Sequence, residues 1–211
     1  GHYHRITARS EIAMNLSIPQ RLLNTCEGKP DRIGRCQEIW SLKLLEPYDT
    51  DEVSCAWVAP VIRRDDSSAV IKAGMPHMEA MHEIQGLRFW DGDPTAFLYE
   101  SDVEANIMLM ERCLPGSVLR ELPEPEHYEV LAAVLRRLWS PRRVPVPFRS
   151  IAELKSKRSK KALARSASCP DPGLISEGLS LFDHLLETTE VESPLATDLH
   201  AGNVLRAERE P

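Results

Sequence analysis

The sequence predicts an α+β protein in which a small sheet-bearing N-terminal part is joined, through residues 111–116, to a mainly helical C-terminal part. Three observations carry this reading. Residues 53–72 alternate with a period of two on either side of Asp65-Asp66-Ser67-Ser68, the pattern of a hairpin. Two further short apolar runs, Ala96–Tyr99 and Ile107–Met110, follow and close at Leu114-Pro115-Gly116. Beyond Gly116 the apolar residues change to helical spacing.

In chain order, Asp31 caps a helix whose apolar positions are Ile33, Cys36, Ile39, Trp40 and Leu44. Val53, Cys55, Trp57, Ala59 and Val61 then define a strand in which Pro60 suits an edge. Ala69-Val70-Ile71-Lys72 returns beside it, so Lys72 reads as a strand-end lysine. Pro76 marks a helix start, and Met78, Met81, Ile84 and Leu87 recur every three residues up to Trp90. Asp91-Gly92-Asp93-Pro94 stops that helix. Tyr128, Leu131, Leu135, Leu138 and Trp139 line a helix from about Glu126 to Ser140. The proline-rich stretch Pro141–Pro147 separates it from Ser150-Ile151-Ala152-Glu153, a capping box that opens the next helix. Ile175, Leu179, Phe182, Leu185 and Leu186 mark another, and a loop near 194–203 leads into the strand-like Val204-Leu205.

Of 211 residues, 42% are hydrophobic and 27% charged, a globular make-up that excludes collagen, low-complexity disorder and coiled coil. Lysine and arginine number 26 against 32 acidic residues, and a net charge of −6 argues against a nucleic-acid partner. No apolar run approaches the ~18 residues of a membrane span. The five cysteines are scattered with no CxxC pair, against both a zinc site and a disulfide framework, so a reducing cytoplasm is the expected location. His77 and His82 lack HExxH spacing, and no G-x-S-x-G supports a hydrolase. The basic cluster Lys155, Lys157, Arg158, Lys160, Lys161 and Arg165 reads as a solvated helix face. The first thirteen residues are polar and aperiodic, and Met14 is the expected natural start. The stop shortly after Val204-Leu205 leads us to expect a C-terminally truncated fragment.

Two groups of residues suggest chemistry. Lys72 follows three apolar strand residues, and the next helix offers Glu79 and Glu83 one turn apart. A carboxylate that fixes a long lysine side chain makes a clamp for α- and β-phosphates. The second group is Asp198-Leu199-His200-Ala201-Gly202-Asn203, whose Asp and Asn stand in D-x-x-x-x-N spacing before an apolar strand. Such a carboxylate orients an acceptor hydroxyl and takes its proton, while the amide oxygen serves Mg2+ on a nucleotide. Neither group is distinctive alone; their order along the chain is.

Ala69-Val70-Ile71-Lys72, the Glu83-to-Gly92 helix end, Leu109-Met110-Glu111-Arg112-x-Leu114-Pro115-Gly116 and Asp198–Asn203 together resemble the aminoglycoside/hydroxyurea antibiotic resistance kinases, in particular their streptomycin 6-phosphotransferase type. Ile18-Pro19-x-Arg21-Leu22-Leu23 and Ser54-x-Ala56-Trp57-Val58-Ala59-Pro60-Val61 are similar to that family's opening. The resemblance implies a bilobal protein-kinase-like fold: an extension over 1–17, a β-rich N-lobe over 18–116 and an incomplete helical C-lobe over 117–211. It implies ATP and Mg2+ as cofactors, and an aminoglycoside or hydroxyurea as the hydroxyl-bearing acceptor. Lys72 would hold the α/β-phosphates and Glu83 would pair with it; the Glu111 carbonyl and Cys113 amide would bind adenine; Asp198 would be the catalytic base and Asn203 a metal ligand.

Three departures accompany the resemblance. Position 196 is Ala where the family usually carries His, the Val53–Trp57 stretch has no glycine to cover phosphate, and the second metal-binding Asp is expected beyond Pro211. Two other readings remain open: a catalytically dead kinase-fold binding module, and a metabolite kinase of the same fold.

Overall fold

The computed structural model describes residues 3–5, 17–19, 29–48, 56–74, 80–140, 148–165, 170–190, 193–196 and 198–209. Most of the 1–17 extension, Val53–Cys55, Pro76–Glu79 with His77, Pro141–Pro147 and Thr197 lie outside the described residues. Two units are distinguished: one comprises 1–138 with 196–211, the other 139–195.

The larger unit is built on a five-stranded antiparallel sheet. Its strands are β3 (Lys43–Leu44), β4 (Ala56–Ile62), β5 (Ser68–Gly74), β6 (Leu98–Asp102) and β7 (Ile107–Glu111), in the order β3-β4-β5-β7-β6. Ahead of them, β1 (Tyr3–Arg5) pairs with β2 (Ser17–Pro19), a short ladder in the polar extension that needs no apolar period because backbone groups make it. Alternation assigns the sheet residues to two faces. Trp57, Ala59, Val61, Ala69, Ile71, Ala73, Ile107 and Leu109 form one buried cluster with Ile33 and Cys36 of α1 (Lys29–Ile39). That cluster defines the α1 face of the sheet; the intervening residues, Lys72 among them, belong to the other face.

Several local expectations need correction. The first helix ends at Ile39, which is 65% exposed, and Leu44 belongs to β3, so the helix stops about one and a half turns short of the expected end. Asp31 sits within the first turn of α1 rather than before it, where its carboxylate still favours the positive helix end. β5 runs on to Gly74, which makes Lys72 an interior residue opposite Val58 and Met108 instead of a strand-end one. Pro60 is not on an edge strand: β4 lies between β3 and β5. Its carbonyl accepts from Leu45 N–H at 3.0 Å, so the side of Pro60 that lacks an N–H faces the irregular segment 45–48, where no ladder bond is lost.

The helix α2 (Ala80–Trp90) buries Ile84 and Trp90 and ends where Asp91 and Gly92 take positive φ, 48° and 81°. β8 (Pro115–Val118) is a strand where the sequence suggested only a turn. Turn and strand coexist because Gly116, at φ 77°, redirects the chain into pairing with β9 (Leu205–Ala207). A 3-10 turn over Leu119–Glu121 follows, then α3 (Glu124–Leu138). Trp90 Nε1 donates to Leu138 O at 3.3 Å and Arg137 Nε to Asp93 Oδ1 at 2.8 Å, so the ends of α2 and α3 are pinned together. Tyr128 and Trp139, expected on the apolar face, are 63% and 45% exposed, and the Tyr128 hydroxyl donates to Glu124 instead.

The smaller unit contains α4 (Ile151–Arg165) and α5 (Pro172–Glu187). Ser150 Oγ accepts from Glu153 N–H at 3.2 Å, and the Asp171 carboxylate accepts from Gly173 N–H at 2.9 Å, so each helix has a side-chain cap at its start. Arg158, Lys160 and Lys161 are on the surface, and Lys155 pairs with Asp183 of α5. Among the described residues no helix is long and apolar enough to cross a membrane.

Candidate active site

Lys72 stands at the centre of the sheet on the face away from α1, where its neighbours in register, Val58 and Met108, are apolar. An ammonium held among such groups needs an acceptor. The Glu83 carboxylate in the first turn of α2 supplies it: Lys72 Nζ pairs directly with Glu83 Oε1. The two side chains keep 27% and 30% of their surface open, so the pair is fixed yet still within reach of an anion. Glu79, the other acidic residue the sequence offers for this role, lies outside the described residues.

The loop before β9 forms a second cluster. Asn203 Nδ2 donates to the Asp198 carbonyl at 2.9 Å and to Asp198 Oδ2 at 3.2 Å, which closes the D-x-x-x-x-N loop on itself and leaves the Asn203 amide oxygen for another partner. The Asp198 side chain is 87% exposed. His200 helps to shape the loop. Gly202 N–H donates to His200 Nδ1 at 3.0 Å, so that nitrogen is the unprotonated one, and Nε2 stands 4.0 Å from Asp198 Oδ1. The loop is anchored from outside by Leu119 N–H to Val204 O at 2.9 Å and Arg120 N–H to Ala201 O at 3.1 Å.

In chain order, Glu111, the last residue of β7, and Cys113 fall between these clusters. The Glu111 carboxylate accepts from Phe97 N–H at 3.0 Å and from Arg209 Nε at 2.7 Å. Among the described residues no backbone carbonyl accepts from the Cys113 N–H. Burial first, and then the Glu111 carboxylate, push the Cys113 thiol up, with Arg209 acting against them. Gly116 follows so closely that a Cβ there would lie 2.8 Å from Cys113 O.

The structure therefore joins Lys72 to Glu83 and Asp198 to Asn203, and no hydrogen bond or ion pair links the two pairs among the described residues. The route between them is covalent and ladder-built: β5 to β7, β7 to Cys113, β8 to β9, and β9 back to the Asp198 loop. Three residues of this region carry no role in the sequence pattern. His200 lay within the motif; Arg120 had no signal, nor did Arg209, whose partners are 98, 114 and 117 positions away. No cluster of three or more His, Cys, Asp or Glu among the described residues is placed to hold a metal. The oxygen set on hand, Asn203 with Asp198, suits a hard cation such as Mg2+ that keeps phosphate oxygens and water as its other ligands.

Comparison with known proteins follows the same lines. The profile of the aminoglycoside/hydroxyurea antibiotic resistance kinases matches residues 43–211. Streptomycin 6-kinase of Streptomyces griseus is 33% identical over 189 residues, covering 87% of this chain and 60% of that protein. Hydroxyurea phosphotransferase of Kitasatospora aureofaciens is 33% identical over 193 residues, covering 88% of this chain and 55% of that protein. The chain thus spans little more than half the length of these curated relatives. Choline kinase LicA from Streptococcus pneumoniae superposes with a TM-score of 0.61 at 11% identity, over 87% of this chain and 66% of that one. At that identity the likeness shows the fold, which is protein-kinase-like, an α+β mix with an antiparallel sheet.

Proposed function

The chain belongs to the aminoglycoside/hydroxyurea antibiotic resistance kinase family, and on that premise we propose that the whole protein transfers the γ-phosphoryl group of ATP to a small-molecule hydroxyl, in a streptomycin-like aminoglycoside or hydroxyurea. The observation that carries the reading is the Lys72–Glu83 pair, a fixed and part-exposed cation on the face of the central strand away from α1. Residues 18–116 serve as the nucleotide lobe and 117–211 as part of the acceptor lobe; the cytoplasm is the working compartment.

In this reading Lys72 neutralises the α- and β-phosphates, and Glu83 keeps the ammonium from wandering. The Glu111 carbonyl and Cys113 N–H present a backbone edge to adenine. The Asp198 carboxylate orients the acceptor hydroxyl and receives its proton as the new O–P bond forms at the γ-phosphorus. The bond from that phosphorus to the β,γ-bridging oxygen breaks, and ADP departs. Mg2+, when bound through the Asn203 amide oxygen, would offset the charge on the phosphates. Asn203 also holds Asp198 through two hydrogen bonds, so its loss acts on both functions.

Steady-state kinetics of the whole protein test the assignment. Asp198→Asn is expected to lower kcat by about 10²–10⁴ with little change in ATP KM. Lys72→Ala is expected to raise ATP KM as well as lower kcat. Full turnover in either variant removes that residue from the machinery.

A further inference from the structure

Arg209 follows β9 by two residues, and its side chain reaches back across most of the chain. Nε donates to Glu111 Oε1, one terminal nitrogen to Gly92 O and the other to Thr95 O, each at 2.7 Å. Three segments thereby meet on one guanidinium: the end of β7, the turn between α2 and β6, and the turn that leaves β9. Glu111 is held from its other side too. Its Oε2 accepts from Phe97 N–H at 3.0 Å, and its own N–H donates to Phe97 O at 2.8 Å. The Glu111 side chain is only 15% exposed, whereas Arg209 keeps 40% of its surface open.

Two features separate this contact from an ordinary surface ion pair. The planar fork of an arginine binds three acceptors at fixed angles, which a lysine point charge does not reproduce. The contact also lies where position matters. Glu111 and Cys113 bracket the backbone edge assigned above to adenine, and a backbone edge discriminates only when it is held still. Through Ala207 and β9 the same arginine is continuous with the loop that carries Asp198.

Resting on the kinase reading above, we propose that Arg209 is a positioning residue for purine recognition: its guanidinium holds the Glu111–Cys113 edge in place and ties it to the strand leaving the catalytic loop. The side chain touches neither nucleotide nor acceptor. It acts on the adenine end of the site and leaves the Lys72–Glu83 phosphate clamp alone.

The test is steady-state kinetics of the whole protein with ATP varied and adenosine as competitive inhibitor, for wild type, Arg209→Gln, Arg209→Lys and Glu111→Gln. Arg209→Gln should raise the ATP KM and the adenosine Ki by a common factor of about ten, with kcat within about threefold. Arg209→Lys should recover only part of that loss, and Glu111→Gln should move both constants the same way. If Arg209→Gln does not fold, as thermal unfolding without nucleotide would show, Glu111→Gln carries the test with every Arg209 donor still present. Unchanged constants overturn the proposal. So does a fall in kcat alone, or a rise in ATP KM without a matching rise in adenosine Ki. A wild-type protein that transfers no phosphate and binds no adenosine removes the kinase reading and this proposal together. A working wild type matched by its Arg209 variants removes only the role of Arg209.

Discussion

Replacing Gly116 with alanine puts a methyl group at a point where the backbone has already closed in. Gly116 has φ of 77°, in the region that L side chains rarely adopt, and holding a non-glycine residue in such a region costs about 1–3 kcal/mol. The new Cβ would also lie 2.8 Å from the Cys113 carbonyl oxygen and 3.8 Å from its carbon. Both are backbone atoms, so the contact is relieved only by moving the chain. Together the two effects amount to about 2–4 kcal/mol, and at about 2–4 °C per kcal/mol for a chain of this size Tm should fall by roughly 5–15 °C. Thermal unfolding followed by circular dichroism measures this directly. Gly178→Ala is the matched control: nothing lies within 4 Å of its Cβ, and an exposed helical glycine gains up to about 1 kcal/mol on becoming alanine. If Gly116→Ala melts with the wild type while Gly178→Ala behaves as expected, the close approach at Gly116 is wrong. Because the displaced atoms belong to Cys113, the surviving folded fraction should also show a raised ATP KM.

Other perturbations probe separate parts of the account. Gly202→Ala would bring a Cβ against the Arg120 guanidinium, which yields, and to 2.8 Å from His200 Cε1, which is held by the Gly202 N–H bond to its ring. A displaced loop should lower kcat about 10–100-fold while Tm moves little, and unchanged kcat contradicts the loop geometry. Burial pushes the Cys36 thiol up from 9.0 to about 11, so its thiolate fraction near pH 8 is about a hundredfold below normal. Iodoacetamide should spare Cys36 in the folded chain and label it in denaturant. The same shift fixes a sign: the unfolded thiol ionises first, so this contribution to stability is intact below pH 9 and declines between pH 9 and about 11. Cys36→Ala should flatten that decline, as pH-dependent denaturant titration will show. Ile33, fully buried between α1 and the sheet, should cost about 2–4 kcal/mol on replacement by alanine, measured by urea unfolding.

What could be read from the sequence followed from how local each signal was. The β4–β5 hairpin, the capping box at Ser150 and the stop after Trp90 depend on neighbours a few residues apart, and all three appear as expected. The pairing of Lys72 with Glu83 was also accessible, because eleven positions and one helix turn narrow the choice of partner. Ends of elements were harder. Helical spacing carries no signal for Leu44 leaving α1 to join β3, since the bond that decides it is made to β4, 17 residues on. Pro60 misled for a related reason: its place in the sheet depends on which side the missing N–H faces, and that is set by the segment 45–48. β8 was hidden because its partner, β9, lies some 90 positions later. Arg209 belongs to the same class of long-range contact, invisible to any local pattern.

The most direct measurement of the central claim is phosphate transfer itself. The whole protein should be incubated with ATP, Mg2+ and either streptomycin or hydroxyurea, and the acceptor then examined by mass spectrometry, with Asp198→Asn alongside. The account predicts that one of these acceptors gains a single phosphoryl group while ADP accumulates in equal amount, and that both signals fall by about 10²–10⁴ in the variant. Equal transfer by wild type and Asp198→Asn, or ADP release with no phosphorylated acceptor, would contradict it.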